Sequence, residues 1–205
     1  MRTSASRLVL GRATSISALG LVALLVMAAP ASGAKFKHLG KPARHIGSGE
    51  SCTNCNEMQL ETAPTSPSYV VPRGRWTIVS WKAHGNHDDP GKARLRIYRP
   101  TAVDGQFKIV AESKITRFPA GQITEHKART EQGGRIHVRK GDHLGMVGVG
   151  LMATLYETGK AGDVEGGTTG PYPPLGSSVG TATTWPLGTI TKQRVNVAVT
   201  LKRRG

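Results

Sequence analysis

The chain has 205 residues, with 28 lysines and arginines against 13 acidic residues, so its formal charge is +15 at pH 7. This excess favours anionic partners such as cell-wall polymers, acidic polysaccharides, lipid headgroups or nucleic acid, with a surface that is only soluble and rich in arginine as the alternative, and it says nothing about the fold. After the apolar run from Ile16 to Ala29, no segment approaches the ~18 apolar residues of a spanning helix, which excludes a protein with several helical spans.

The N-terminal apolar run has the features of a secretory signal. Three arginines precede it, and Ala29-Pro30-Ala31 and Ser32-Gly33-Ala34 both fit the small-x-small pattern of signal peptidase sites. We interpret residues 1 to 34 as a cleaved signal, with an uncleaved membrane anchor as the alternative. Removal of this segment lowers the formal charge from +15 to +12. The sequence therefore predicts a basic protein that is secreted or associated with the cell envelope.

Residues 35 to 67 have the composition of a flexible tether, since glycine and proline interrupt every period. The segment contains both cysteines, Cys52 and Cys55. In an exported chain this pair most simply forms a disulfide. A redox pair needs a strand-to-helix setting and a zinc site needs two more ligands, neither of which the segment clearly supplies. A c-type haem site needs His where Asn56 stands.

From residue 68 onward the chain consists of short alternating apolar and polar runs separated by turn residues. This pattern predicts an antiparallel two-sheet sandwich, jelly-roll or immunoglobulin-like, of about eight strands. One domain of ~140 residues is long enough to bury a single core. The predicted strands are 69–71, 76–82, 93–98, 107–112, 122–129, 135–139, 144–150 and 195–201.

The predicted strands 93–98 and 135–139 each have apolar residues on one side and arginines on the other. Ile136 and Val138 are predicted to face the core, and a Gly141-Asp142 turn follows them. If the two strands belong to one sheet, their outward side chains form one cationic patch for an anionic polymer. If they lie in opposite sheets, each is only a solvated edge. The residues of this predicted patch are Arg94, Arg96, Arg135, His137 and Arg139.

The segment from Gly159 to Gly188 is rich in glycine and proline and is predicted to form a long loop, interrupted by a weak strand near 178–184. Tyr172 and Trp185 lie in it beside prolines. Their rings could stack on a sugar, or they could cover the open end of the sandwich.

The sharpest local motif is His84-Gly85-Asn86-His87-Asp88-Asp89, directly after a predicted strand. Its Gly-Asn-His-Asp part resembles one block of the calcineurin-like metallophosphoesterases, whose histidine binds metal. The resemblance covers four residues, and the other blocks of that family are absent. A metal site needs convergent ligands, so a polar hairpin loop is the better interpretation, with His84, His87 and Asp88 as the metal-binding alternative.

Other catalytic patterns are missing from the sequence. It has no Gly-x-Ser-x-Gly elbow, no phosphate-binding Gly-x-x-x-x-Gly-Lys loop and no His-Glu-x-x-His pair. Carboxylates from distant strands can still assemble a hydrolytic site, as they do in sandwich glycosidases. We predict no cofactor.

Several turns and strands together resemble a known group of proteins. These are Ser68-Tyr69-Val70-Val71-Pro72, Ile78-Val79-Ser80-Trp81, Arg99-Pro100-Thr101, the hairpin from Val138 to Gly145 and the end strand from Val195 to Val199. The set is similar to small exported β-sandwich proteins of high-GC soil actinobacteria. The resemblance spans most of the mature domain, implies the sandwich fold and carries no catalytic residue.

The sequence thus favours an exported, non-catalytic protein that binds an anionic or carbohydrate polymer, for example of the cell wall. Nucleic acid is not expected as its physiological ligand. The rival hypotheses are an extracellular hydrolase with a metal or carboxylate site near His84 to Asp89, and a purely structural envelope component.

Overall fold

The computed structural model describes residues 34–43, 51–53, 56–85, 90–148, 151–153, 156–168, 179–180, 182–184 and 189–205. In these ranges all regular structure is β, and no helix has the length and apolarity needed to cross a membrane. All but the last residue of the predicted signal lies outside them, so export stays a prediction.

The strands range from three to ten residues in length. In chain order they are β1 (Phe36–Lys41), β2 (Ser51–Thr53), β3 (Asn56–Glu61), β4 (Arg75–His84), β5 (Gly91–Pro100), β6 (Gln106–Glu112), β7 (Thr116–Phe118), β8 (Ile123–Lys127), β9 (Ile136–Arg139), β10 (His143–Gly148), β11 (Leu151–Ala153), β12 (Tyr156–Thr158), β13 (Val164–Thr168), β14 (Ala182–Thr184), β15 (Thr189–Thr191), β16 (Gln193–Val195) and β17 (Val197–Arg203).

Most of these strands form two antiparallel sheets, which confirms the predicted sandwich. The five-stranded sheet has the order β1-β17-β4-β8, and β9 also pairs with β4. The eight-stranded sheet has the order β14-β6-β5-β10-β3-β13-β15, and β7 also pairs with β5. The strand count exceeds the predicted eight because several three-residue strands extend the sheets and form two small additional ladders.

The core lies between the two sheets and is built from the inward side of each alternating strand. Ile136 and Val138 of β9 are buried, which confirms their predicted inward direction, and the alternating apolar residues of β5 and the C-terminal strands are buried with them. Trp81 packs edge-on against Phe118, with ring centroids 5.1 Å apart. These buried residues are Ala93, Leu95, Ile97, Ile136, Val138, Val195, Val197, Val199 and Leu201.

The alternation of β4 changes phase in the middle of the strand. Trp76 and Ile78 face the core in its first half, and Trp81 and Ala83 do so in its second half. The pairing with β17 skips Val79, so one extra residue is accommodated as a β-bulge. On the other edge of β4, β9 pairs with the first half and β8 with the second. Residues 128–135 leave this edge between the two pairings.

Two segments predicted to pack loosely contribute strands instead. Within 35–67, β1 forms an edge of the five-stranded sheet and β3 lies inside the eight-stranded sheet. Met58 of β3 is fully buried, so this part of the tether prediction is wrong. Within the predicted loop 159–188, β13 pairs with β3. Glycines and prolines in these two segments interrupt the alternation by which a strand is predicted. The strands form nevertheless, because short strands that pair with distant segments need little local propensity.

The turn between β9 and β10 is fixed to the opposite sheet by one buried carboxylate. Arg99 of β5 donates to both oxygens of Asp142, from Nε at 2.7 Å and Nη2 at 2.9 Å. The backbone N–H of Arg139 donates to the same carboxylate at 2.9 Å. Gly141 has a positive φ of 84°, which glycine adopts without strain. The predicted turn is therefore confirmed, and it holds the end of β9 in place.

Candidate anion-binding face

The outer side of the five-stranded sheet carries an exposed group of basic residues, which we call the basic face. Its members lie on β4, β9, the end of β17 and the edge from β8 through residues 128–135. All of them are solvent exposed. The basic face consists of Arg75, Lys127, Arg129, Arg135, His137, Arg139, Lys202 and Arg204.

Three arginines form a row at one end of this face: one is on β4, one is on β9, and one directly follows the end of β17. Arg75 of β4 is the direct cross-strand partner of Arg139 of β9. On the other side of β4, the backbone N–H of Arg204 donates to the carbonyl oxygen of Arg75 at 3.0 Å. Neighbouring strands are ~4.8 Å apart, and like charges that face each other at this spacing destabilise a sheet. An anion bound over the row would relieve that repulsion.

The next row of the face contains His137. Its Nδ1 shares a hydrogen bond of 3.0 Å with the hydroxyl of Thr77, the residue opposite it on β4. Partial burial and the positive charges of Arg204 and Arg135 lower the pKa of His137. The protonated form of the ring is therefore disfavoured in the folded protein.

Few negative charges accompany these cations. Within the described residues, no salt bridge involves a member of the basic face. Glu125 lies further along the sheet, opposite Lys82, and its carboxylate accepts a hydrogen bond from Ser80. The face therefore keeps its positive charge available to a ligand.

The structure does not join the two predicted arginine pairs into one patch. β5 belongs to the eight-stranded sheet and β9 to the five-stranded sheet. Arg96 does point away from the core, as predicted, but only 1% of it is exposed. Both Nε and Nη2 of Arg96 contact the carboxylate of Glu112. Arg94 pairs with Glu112 at 3.0 Å and with Glu131 at 3.8 Å, so both arginines are already neutralised.

The predicted metal ligands show no convergence in the described part of the chain. His84 ends β4, and its backbone is tied to the Asn196 side chain: its N–H donates to Oδ1 at 3.0 Å and its carbonyl accepts from Nδ2 at 2.8 Å. His87, Asp88 and Asp89 lie outside the described residues. Among the residues that are described, no three His, Cys, Asp or Glu side chains are arranged to hold a metal ion.

Three other predicted site residues lie outside the described part of the chain. Tyr172 and Trp185 lie outside the described residues, so the aromatic sugar site stays a prediction. Cys52 belongs to β2, and Cys55 is outside the described ranges. The disulfide between them stays a prediction as well.

A pair of carboxyl groups is buried on two strands of the eight-stranded sheet. Glu57 of β3 and Glu165 of β13 lie on neighbouring strands, and both are shielded from solvent. Burial raises the pKa of Glu165 to about 8, although a hydrogen bond with Glu57 partly opposes this. Two carboxyl groups can share a hydrogen bond only when one of them is protonated. This pair therefore holds a proton at neutral pH.

The sequence pattern predicted only part of the basic face. Arg135, His137 and Arg139 were predicted from the alternation of β9. Arg75 had the same signal, because it precedes the inward-facing Trp76 by one residue. Lys202 and Arg204 stand near the end of the chain and alternate with Leu201. Their assembly depends on β17 and β9 pairing with opposite edges of β4, which alternation alone does not specify.

Fold and surface together define an all-β antiparallel sandwich whose five-stranded sheet carries the basic face. Comparison with protein-family models, curated proteins and solved structures gives no match. The geometry and charge of the basic face are therefore the features that bear on function.

Proposed function

We propose that this protein is an exported, non-catalytic binding protein that holds an anionic polymer against the basic face of its five-stranded sheet. The observation that carries the proposal is the row formed by Arg139, Arg75 and Arg204, which is exposed and free of salt bridges within the described residues. A folded chain that only needs solubility can interleave its charges, whereas unneutralised like charges in adjacent rows favour a multivalent anion.

The extended shape of the face favours a polymer over a small ligand. Cations on neighbouring strands are ~4.8 Å apart, and successive outward residues along a strand are ~7 Å apart. A chain with a repeated negative charge can contact several of these positions at once. Each contact displaces counterions, so a polymer gains affinity from many weak contacts. Cell-wall polymers and acidic polysaccharides have this chemistry and occur where an exported protein would meet them.

The test is a binding titration against polygalacturonate, dextran sulfate and polyphosphate, with neutral dextran as the uncharged control. We expect affinity for the charged polymers to fall steeply between 50 and 300 mM salt, because surface charges beyond ~10 Å are screened at 0.1 M. Binding that is insensitive to salt, or equal for neutral dextran, would contradict the proposal.

Two charge-reversal variants separate a localised site from the general charge of the protein. Reversal of the cross-strand pair Arg75 and Arg139 to glutamate should weaken binding at least about tenfold, with little effect on the melting temperature. The matched control reverses Lys92 and Arg117, an exposed cross-strand pair of the other sheet. Both variants change the net charge equally. Equal losses of affinity would mean that the basic face has no special role.

A further inference from the structure

A cavity of about 530 Å³ opens within the basic face, at the point where β4 bulges. Val79 is skipped in the pairing with β17, and residues 128–135 leave the other edge of β4 at the same level. The carbonyl oxygen of Val79 accepts a hydrogen bond from the N–H of Ala128 at 3.1 Å. The bulge and the departing segment thus leave an open space bounded by the backbone of three chain segments.

The side chains around this space are predominantly cationic. Lys127, Arg129 and Arg135 line one side, and Lys202, Arg203 and Arg204 line the other. None of the described side chains that line it is acidic.

Arginines on two sides of a cavity favour one kind of anion. A guanidinium group donates through a planar fork of N–H groups, which binds phosphate and sulfate oxygens in pairs. A carboxylate has two oxygens in one plane, whereas a phosphate or sulfate ester presents its oxygens in several directions. The volume also exceeds that of a single anion and is in the range of sites that hold a ligand with a sugar-sized group.

We propose that this cavity binds one tetrahedral oxyanion, a phosphate or sulfate ester group of the polymer, in preference to a carboxylate. The inference rests on the proposed function and deepens it, because it names the charged group that the polymer carries. Arg129, Arg135 and Arg204 are the principal donors, and the rest of the basic face contacts the neighbouring repeats.

The test uses inorganic phosphate, inorganic sulfate and acetate as separate probes, in sodium chloride of matched ionic strength. Calorimetric titration of the purified full chain should show saturable one-to-one binding of phosphate or sulfate and no saturable binding of acetate. The anion with the higher affinity, phosphate or sulfate, identifies the ester group of the polymer. The proposal would be overturned if acetate bound as tightly as phosphate and sulfate. It would also be overturned if none of these three anions gave a larger response than chloride.

A pair of conservative variants locates the site. Arg135→Lys keeps the charge but loses the fork, so it should weaken oxyanion binding about tenfold. Arg117→Lys makes the same change at an exposed arginine of the eight-stranded sheet, which lies outside the basic face and does not line the cavity, and should weaken oxyanion binding less than twofold. Equal effects would overturn the assignment to the cavity.

Polymer titrations keep the two proposals distinguishable. If polygalacturonate binds as well as the phosphate and sulfate polymers and Arg135→Lys changes none of them, the basic face stands and the oxyanion cavity is wrong. If the small oxyanions saturate the protein and no polymer binds, the cavity stands and the polymer-binding function is wrong.

Discussion

The outer faces of the two sheets carry similar arginine patterns and use them in opposite ways. On the five-stranded sheet, Arg75 and Arg139 are exposed, and no salt bridge involves them in the described residues. On the eight-stranded sheet, Arg96 is buried and contacts Glu112. Alternation along a strand therefore identifies the side to which an arginine points. Whether that side is open to a ligand depends on what covers it.

The chemistry of the covered face explains why its arginines are not binding residues. Tyr98, on the same side of β5 as Arg96, is buried, and its hydroxyl donates to Oδ1 of Asn56. Gly145 lies against the Tyr98 ring, where an added Cβ would come within 2.5 Å of a ring carbon. A charge in such a setting is stable only with a partner, which Glu112 provides. The exposed face needs no such partner because water solvates its cations.

The largest effect should come from removal of the buried partner. Glu112→Ala would leave Arg96 buried without its carboxylate, so the free energy of unfolding should fall by about 3–5 kcal/mol. Urea denaturation measures this change. Glu125→Gln on the exposed sheet is the control and should change stability by less than about 0.5 kcal/mol. Similar losses in the two variants would contradict the contrast between the faces.

Glu165 is a buried ionisable group that is accommodated differently from Arg96. It is protonated, whereas Arg96 is paired with an opposite charge. Its folded-state pKa, about 8, is higher than the ordinary value of 4.5. The folded protein therefore keeps a proton that the unfolded chain loses as pH rises between these values, so stability should fall across that window. Glu165→Gln should flatten the fall and stabilise the protein at pH 9 by an amount on the order of a few kcal/mol. Thermal unfolding between pH 5 and 9 tests this, and an unchanged slope would contradict it.

The buried hydroxyl of Tyr98 provides a smaller test of the covered face. Tyr98→Phe removes the donor to Asn56 and should lower the free energy of unfolding by about 1–2 kcal/mol. The matched change on the five-stranded sheet is Thr77→Val, which removes the hydroxyl that forms a hydrogen bond with His137. We expect that change to have little effect on stability, since water replaces the lost bond. Equal effects in denaturant titrations would indicate that the two faces are equally buried.

The smallest effect concerns acid stability. The Nδ1–H of His143 donates to the carbonyl oxygen of Gln59 at 2.9 Å, and its ring packs edge-on against Phe107. Burial lowers the pKa of His143, although the bond to Gln59 and the charge of Asp142 oppose this. Below pH 6.5 the unfolded chain takes up the proton more readily, so stability should decline as pH falls. His143→Gln should make the melting temperature less dependent on pH between 7 and 5. A steeper dependence in the variant would contradict this.

Much of the fold could be predicted because it depends on local alternation. Ile136 and Val138 face the core and Gly141-Asp142 forms the turn, as their pattern indicates. The strands β1, β3 and β13 could not be predicted in this way. They are short or contain glycine, and most of their stabilisation comes from partners far away in the chain.

The candidate site likewise has a part that the sequence predicts and a part that it does not. The outward direction of Arg135, His137 and Arg139 follows from the two-residue period of a strand, and the sequence alone determines it. The spacing of three residues between Ile78 and Trp81 also signals the bulge in β4, since it breaks the alternation. The sequence by itself thus determined the fold class, the excess of positive charge and the side of each strand on which its arginines lie.

Tertiary structure decided which of those arginines can meet a ligand. Arg75, Arg139 and Arg204 come together because β9 and β17 pair with opposite edges of β4, and Arg96 is excluded because its face is buried. Both outcomes depend on contacts between segments that are distant in sequence. The physical reason is that side-chain direction is set by the local backbone, whereas exposure and the proximity of charges are set by which strands pair and which faces are covered.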